Sequence, residues 1–253
     1  GNLSELYLVS GELARAIAVA RQGVELADRS GGLLQRVIRR TTLAGILHQA
    51  GEVPQAAAFF RQAEDIEGQK DPEVRLPYGL QEFRYCDFLL DQGRHVQVQR
   101  RVNFALTRPQ AVEASLLPAA SNLVSLGRAC QRTGGFQEAS AHFDKAVLGL
   151  CQAGQQQYLV LGLLARAELH RLRRDFDRAL CLSRGLGDVY KRQGMRLYQA
   201  DCHLEYARLH LAMGDKPKAL ESFATARAMI TEMGYHRRDP DLAALEHQLT
   251  STP

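Results

Sequence analysis

The stretch Gly134–Ala146, GGFQEASAHFDKA, decides the fold. Its Ala139, Phe143 and Ala146 fall at i, i+4 and i+7, which at 3.6 residues per turn puts a small, a large and a small residue on one helical face. The two glycines before them mark a break where one helix ends and the next begins. The same order returns as Ala56, Phe60, Ala63 and as Ala219, Phe223, Ala226. In Val98, Val102, Ala105 and in Ala16, Ala20, Gly23 the central residue is smaller, and Ala179, Ser183, Leu186 departs furthest. Small residues let two helices approach closely, and the large one fills the space between neighbouring hairpins.

Working outward, each such face follows a turn: GELARA from Gly11, GEVPQA from Gly51, GRHVQV from Gly93, GGFQEA from Gly134, RDFDRA from Arg174 and GDKPKA from Gly214. The spacings are 40, 42, 41, 40 and 40 residues, a register that identifies an internal repeat. Before the turns lie large–small pairs, Leu43 with Ala44, Leu126 with Gly127 and Tyr206 with Ala207, the packing face of a first helix. The chain is thus read as all-α, with six helix-turn-helix units in one array over residues 1–253 and a cap and tail over 235–253. In that last stretch Asp239 and Pro240 open a final helix over LAALEHQL.

Composition agrees, since 45% hydrophobic content over 253 residues suffices for a large core, while Trp is absent and Pro scarce. No apolar run approaches the roughly 18 residues that span a bilayer, and the N-terminus lacks signal-peptide order, so a cytoplasmic chain with no membrane partner is expected. Cys86, Cys130, Cys151, Cys181 and Cys202 are widely spaced without C-x-x-C, which points to neither zinc nor a disulfide framework. A net charge of +4 comes from scattered arginines without the concentrated basic stripe that nucleic-acid binding needs.

The large–small pair in the first helix, the glycine at the turn and the Ala–aromatic–Ala face of the second resemble the tetratricopeptide-repeat family over nearly the whole chain. The resemblance implies a right-handed α-solenoid. Two features depart from the family: a period near 40 in place of its 34, and no proline closing the second helix. The stretches RLPYGLQEFRYCDFLL (75–90) and GYHRRDP (234–240) are also similar to the sensor repeats of bacterial STAND-type signalling ATPases. That likeness implies a recognition array within a larger protein. The chain starts without Met, with a first helix that would begin before Gly1, so further N-terminal domains are expected.

No catalytic, cofactor or metal site is expected. No G-x-x-x-x-G-K-[ST] occurs, and the GLG at Gly185–Gly187 lacks a phosphate-binding context. His203 and His210 share a helix face without a third ligand. Gly185–Gln193, GLGDVYKRQ, breaks the helical periodicity of the fifth unit and reads as a linker or foreign stretch that carries no site.

Binding is therefore the expected function, with a protein or peptide partner, or a small ligand, in the concave groove lined by the first helices. A structural spacer is the remaining alternative. Asp87, Arg128, Glu168 and Arg208 occupy equivalent positions eleven residues before each anchoring small residue, and the resemblance places that position in the groove. Such a row of alternating sign fits an inter-unit ladder of salt bridges. It also fits, together with His48, Gln49, Arg84, Arg132 and Glu205 on nearby turns, a polar floor for a partner. The Asn and Lys clamp that related arrays use for a terminal carboxylate is missing.

Overall fold

Thirteen α-helices succeed one another in the computed structural model, which describes residues 2–70, 79–107 and 116–251. They are α1 (Asn2–Val9), α2 (Leu13–Ser30), α3 (Leu33–Gln49), α4 (Val53–Lys70), α5 (Leu80–Asp91), α6 (His95–Thr107) and α7 (Leu116–Arg132). Then follow α8 (Phe136–Gln152), α9 (Gln156–Leu172), α10 (Phe176–Gln193), α11 (Arg196–Ala212), α12 (Lys216–Met233) and α13 (Asp239–Ser251), with a 3-10 turn at His236–Arg238 before the last. No strand occurs among the described residues. The first four residues of the 75–90 stretch lie outside them.

The turns explain the repeat. In each hairpin the chain leaves the first helix through one left-handed residue, and the next amide bonds back five residues. Glu12 donates to Tyr7, Glu52 to Leu47, Arg94 to Leu89, Gly135 to Cys130, Asp175 to His170 and Asp215 to His210, all at 2.8–3.0 Å. This Schellman closure needs positive φ, which suits glycine, as at Gly134 (φ +87°). In the fifth turn Arg174 adopts it instead, at φ +60°.

Packing follows the small–large–small face. Ala139, Phe143 and Ala146 are wholly buried, as are Ala56, Phe60 and Ala63, and Phe223 is 6% exposed. Even the divergent Ala179, Ser183 and Leu186 are buried, the Ser183 hydroxyl donating to the Ala179 carbonyl at 2.8 Å. Helices α7 and α8 approach so closely that a Cβ on Gly127 would lie 2.5 Å from the Phe143 ring. Removing a ring seated like this costs about 3–5 kcal/mol. Phe60 also stacks on Tyr85 of the next hairpin, with centroids 4.6 Å apart.

The expected break at Gly185–Gln193 does not occur, because α10 runs unbroken to Gln193. Two glycines cost about 1 kcal/mol each in a helix. Leu186 offsets this by burying itself in a cluster with Val160, Leu164 and Cys202.

One large core cluster runs from Ala16 to Leu169 and a second joins Leu197 to Leu249. The array curls until they meet. Leu13 of α2 belongs to the second cluster, and Leu8 and Ala50 pack against it. Helix α1 touches α11, and the 3-10 turn touches α3. A Cβ on Gly51 would stand 2.7 Å from that of His236. Helix α13 covers the far face of the sixth unit with Leu242, Leu245 and Leu249.

Candidate binding chamber

The first helix of each hairpin turns one face toward the inside of the curl, so its polar residues converge there although they are some 40 residues apart. The Arg128 guanidinium donates to Asp87 at 3.0 Å, the rung that the alternating row predicts. The next rungs differ. Glu168 is paired with Arg132 at 3.5 Å, and Arg208 with Asp241 of the cap and, at 3.9 Å, with Glu205 of its own helix. A uniform ladder therefore does not form, because Arg208 is diverted to the cap and Glu168 to Arg132.

What the sequence reading missed is the turn Tyr235–Arg238, which enters the curl from the C-terminal end. Arg237 donates to Asp87 at 2.6 and 2.9 Å, to Asp91 at 2.6 Å and to Gln49 at 3.2 Å, across separations of up to 188 residues. Arg238 donates to Asp201 at 2.7 Å, and the Tyr235 hydroxyl lies 3.2 Å from each oxygen of the same carboxylate. The available signal was GYHRRDP itself, two adjacent arginines after a helix-ending glycine. The targets of Arg237 could not be read, since Asp87, Asp91 and Gln49 lie 150, 146 and 188 residues away in sequence.

This turn divides the interior into two hollows. Behind it lies a cavity of about 90 Å³ lined by His48, Gln49, Arg84, Asp87, Arg128, Tyr158 and Tyr198, among others. In front lies a chamber of about 780 Å³ lined by Arg128, Arg132, Glu168, Arg171, Glu205 and Arg208, with Leu164, Leu172 and Leu204 between them. All nine residues expected in the groove line one hollow or the other. They are not equally accessible. His48 and Glu205 are buried, Gln49 is taken by Arg237 and Arg84 by Glu5, whereas Arg132 is 60% exposed at the chamber rim.

Charge is matched closely. Burial pushes the Asp87 carboxyl up, but Arg237 and Arg128 outweigh it and hold it below the ordinary aspartate value. Burial alone would lower Arg237, yet Asp87 and Asp91 raise it well above the usual guanidinium value. On the chamber floor burial raises the Glu205 carboxyl despite Arg171 at 2.6 Å. His48 is lowered by burial and by Arg237, so it sits neutral and donates from Nε2 to Asp91 at 2.9 Å. No group of three or more His, Cys, Asp or Glu could hold a metal ion among the described residues.

No family model matches the chain, and no curated protein matches it. Solved structures do. A Rap protein complexed with competence and sporulation factor is 16% identical at a TM-score of 0.71, covering 98% of this chain and 71% of that one. BtubC (BKLC) from P. vanneervenii is 17% identical at a TM-score of 0.57, over 87% of this chain and 92% of the other. A tetratricopeptide repeat protein from Parabacteroides merdae is 15% identical over 99% and 97%, but at a TM-score of 0.47 it carries no weight. With its paired helices and repeated turns, the chain has the tetratricopeptide-like helical-repeat fold. No helix among the described residues is long and apolar enough to cross a membrane.

Proposed function

We propose that the protein is a binding array whose chamber receives a short segment of a partner protein, as the recognition part of a larger signalling protein. The observation that supports this is the chamber of about 780 Å³, walled by paired charges with leucines between them. Its size lies within the range of about 300–1,000 Å³ typical of sites that enclose a ligand. A half-open hollow of this volume suits the end of a chain or a compact loop better than a long helix. The same volume and polar lining favour a small polar ligand as the second reading. The Rap structure, solved complexed with competence and sporulation factor, lends support through the shared fold. The likeness to STAND-type sensor repeats supplies the larger context.

Arg132 provides the cleanest test. Its exposed contact with Glu168 contributes only about 0–1 kcal/mol, so Arg132→Glu should leave the melting temperature nearly unchanged. Binding of the captured partner, measured by calorimetry, should weaken at least tenfold. Reversing Arg128 is less informative, because it would set a carboxylate against Asp87 and destabilise the fold as well. Arg208→Gln serves as the second variant, because it removes the charge without setting a new carboxylate beside Glu205 and Asp241. Unchanged binding in both Arg132→Glu and Arg208→Gln would sink the proposal.

A further inference from the structure

We propose that the turn Tyr235–Arg238 is a latch: it holds the array as a closed ring, and its release joins the chamber to the cavity behind it. The functional meaning of the latch rests on the chamber being the binding site. The ring is closed by two kinds of contact. One is an apolar seam, in which Leu8, Leu13 and Ala50 meet the C-terminal cluster. The other is charged and centres on Arg237, whose donors cross from the C-terminal end to α3 and α5.

The two arginines divide the work. Arg238 is tied to Asp201 of α11 and Asp241 of α13, so it anchors the turn to its own end of the array. Arg237 reaches over to Asp87, Asp91 and Gln49, so it alone of the pair ties that end to the opposite one. Together with Arg128 and Asp201 they form the partition, since these four side chains line both hollows.

Such a partition is suited to opening. The desolvation cost of a buried ion pair offsets much of its attraction, so a charged staple holds less firmly than its number of bonds suggests. Asp91, 36% exposed, also faces the chamber. A charged group entering there competes for the carboxylates and guanidiniums that hold the turn. Occupancy and closure are then linked, and the linkage is reciprocal.

The latch can be tested without any ligand by small-angle scattering and hydrogen exchange on Arg237→Gln, which removes the charge and the guanidinium fork and keeps a polar side chain. The maximum particle dimension should increase while helicity by circular dichroism stays constant. Exchange in α1 and at the end of α3 should accelerate at least tenfold, with α8 unchanged. Arg166→Gln, which breaks a pair with Asp144 away from the latch, should alter neither. Arg237→Lys, with one ammonium in place of the fork, should fall between wild type and Arg237→Gln. If Arg237→Gln does not fold, Asp91→Asn is read in its place, since it leaves Asp87 to Arg237 and should show the same changes at smaller amplitude. Scattering and exchange identical to wild type in the folded variant would overturn the latch. That result would leave the chamber standing, whereas unchanged binding in the Arg132 and Arg208 variants would remove the chamber and leave the ring intact.

Discussion

Arg174 stands where the other five hairpin turns carry glycine, and its φ of +60° is a conformation that costs a residue with a Cβ about 1–2 kcal/mol. Its side chain is exposed, so little packing is lost on replacement. Arg174→Gly should therefore stabilise the chain by about 1 kcal/mol net of glycine's greater freedom when unfolded, read as a higher urea midpoint at constant slope. A lower midpoint would mean that the arginine does more than close the turn. His48 makes a second residue-scale prediction. Burial and Arg237 depress its pKa below the ordinary 6.5, against the opposing pull of Asp91 and Asp87. As pH falls through 6.5 the unfolded chain binds a proton that the folded chain refuses, so stability is full above this pH and declines below it. His142 and His203, also lowered, act in the same sense. Urea unfolding between pH 8 and pH 5.5 should show this decline, and His48→Gln should make it shallower. An identical slope in the variant would exclude His48 as a source.

At the scale of elements, the helices were legible because each carries its burial face locally. Ala56, Phe60 and Ala63 occupy positions that any amphipathic helix would bury, and the glycine turns punctuate them. The same reasoning failed at Gly185–Gln193, where local propensity is poor and the helix is held by tertiary burial of Leu186. The cap was legible too, since Asp239 and Pro240 start α13 in the expected place. Its contribution can be measured by ending the chain after Arg238, which removes Leu242, Leu245 and Leu249 together with Asp241, and leaves the latch turn tied through Asp201. Each leucine withdraws about 1.5–3 kcal/mol of burial, and Phe223 and Ile230 lose part of their cover. The conformational entropy that α13 no longer loses on folding offsets much of this, so a drop of several degrees in melting temperature is expected, together with faster exchange in α12. Unchanged exchange there would show that α13 is not a structural cap.

At the scale of the whole molecule, an open solenoid and a closed ring can share every local signal. Curvature is the sum of small rotations between hairpins, and no single hairpin encodes it. The nine groove residues could be placed on the inner face from their register. Whether that face was open could not, because Arg237 meets Asp87 over a separation of 150 residues. The distinction has a consequence for cooperativity. In an open array each unit leans on its neighbours, so removing α1 should disturb α2 and α3 and fade along the chain. In this ring α1 touches α11, Gly11 lies against Met233, and Leu8 packs against the C-terminal cluster. Deleting residues 1–10 should therefore speed exchange in peptides from α11 and the end of α12 as well as in α2, while α7 and α8, midway round the ring, keep their protection. A disturbance confined to α2 and α3 would show that the ends of the array do not support each other.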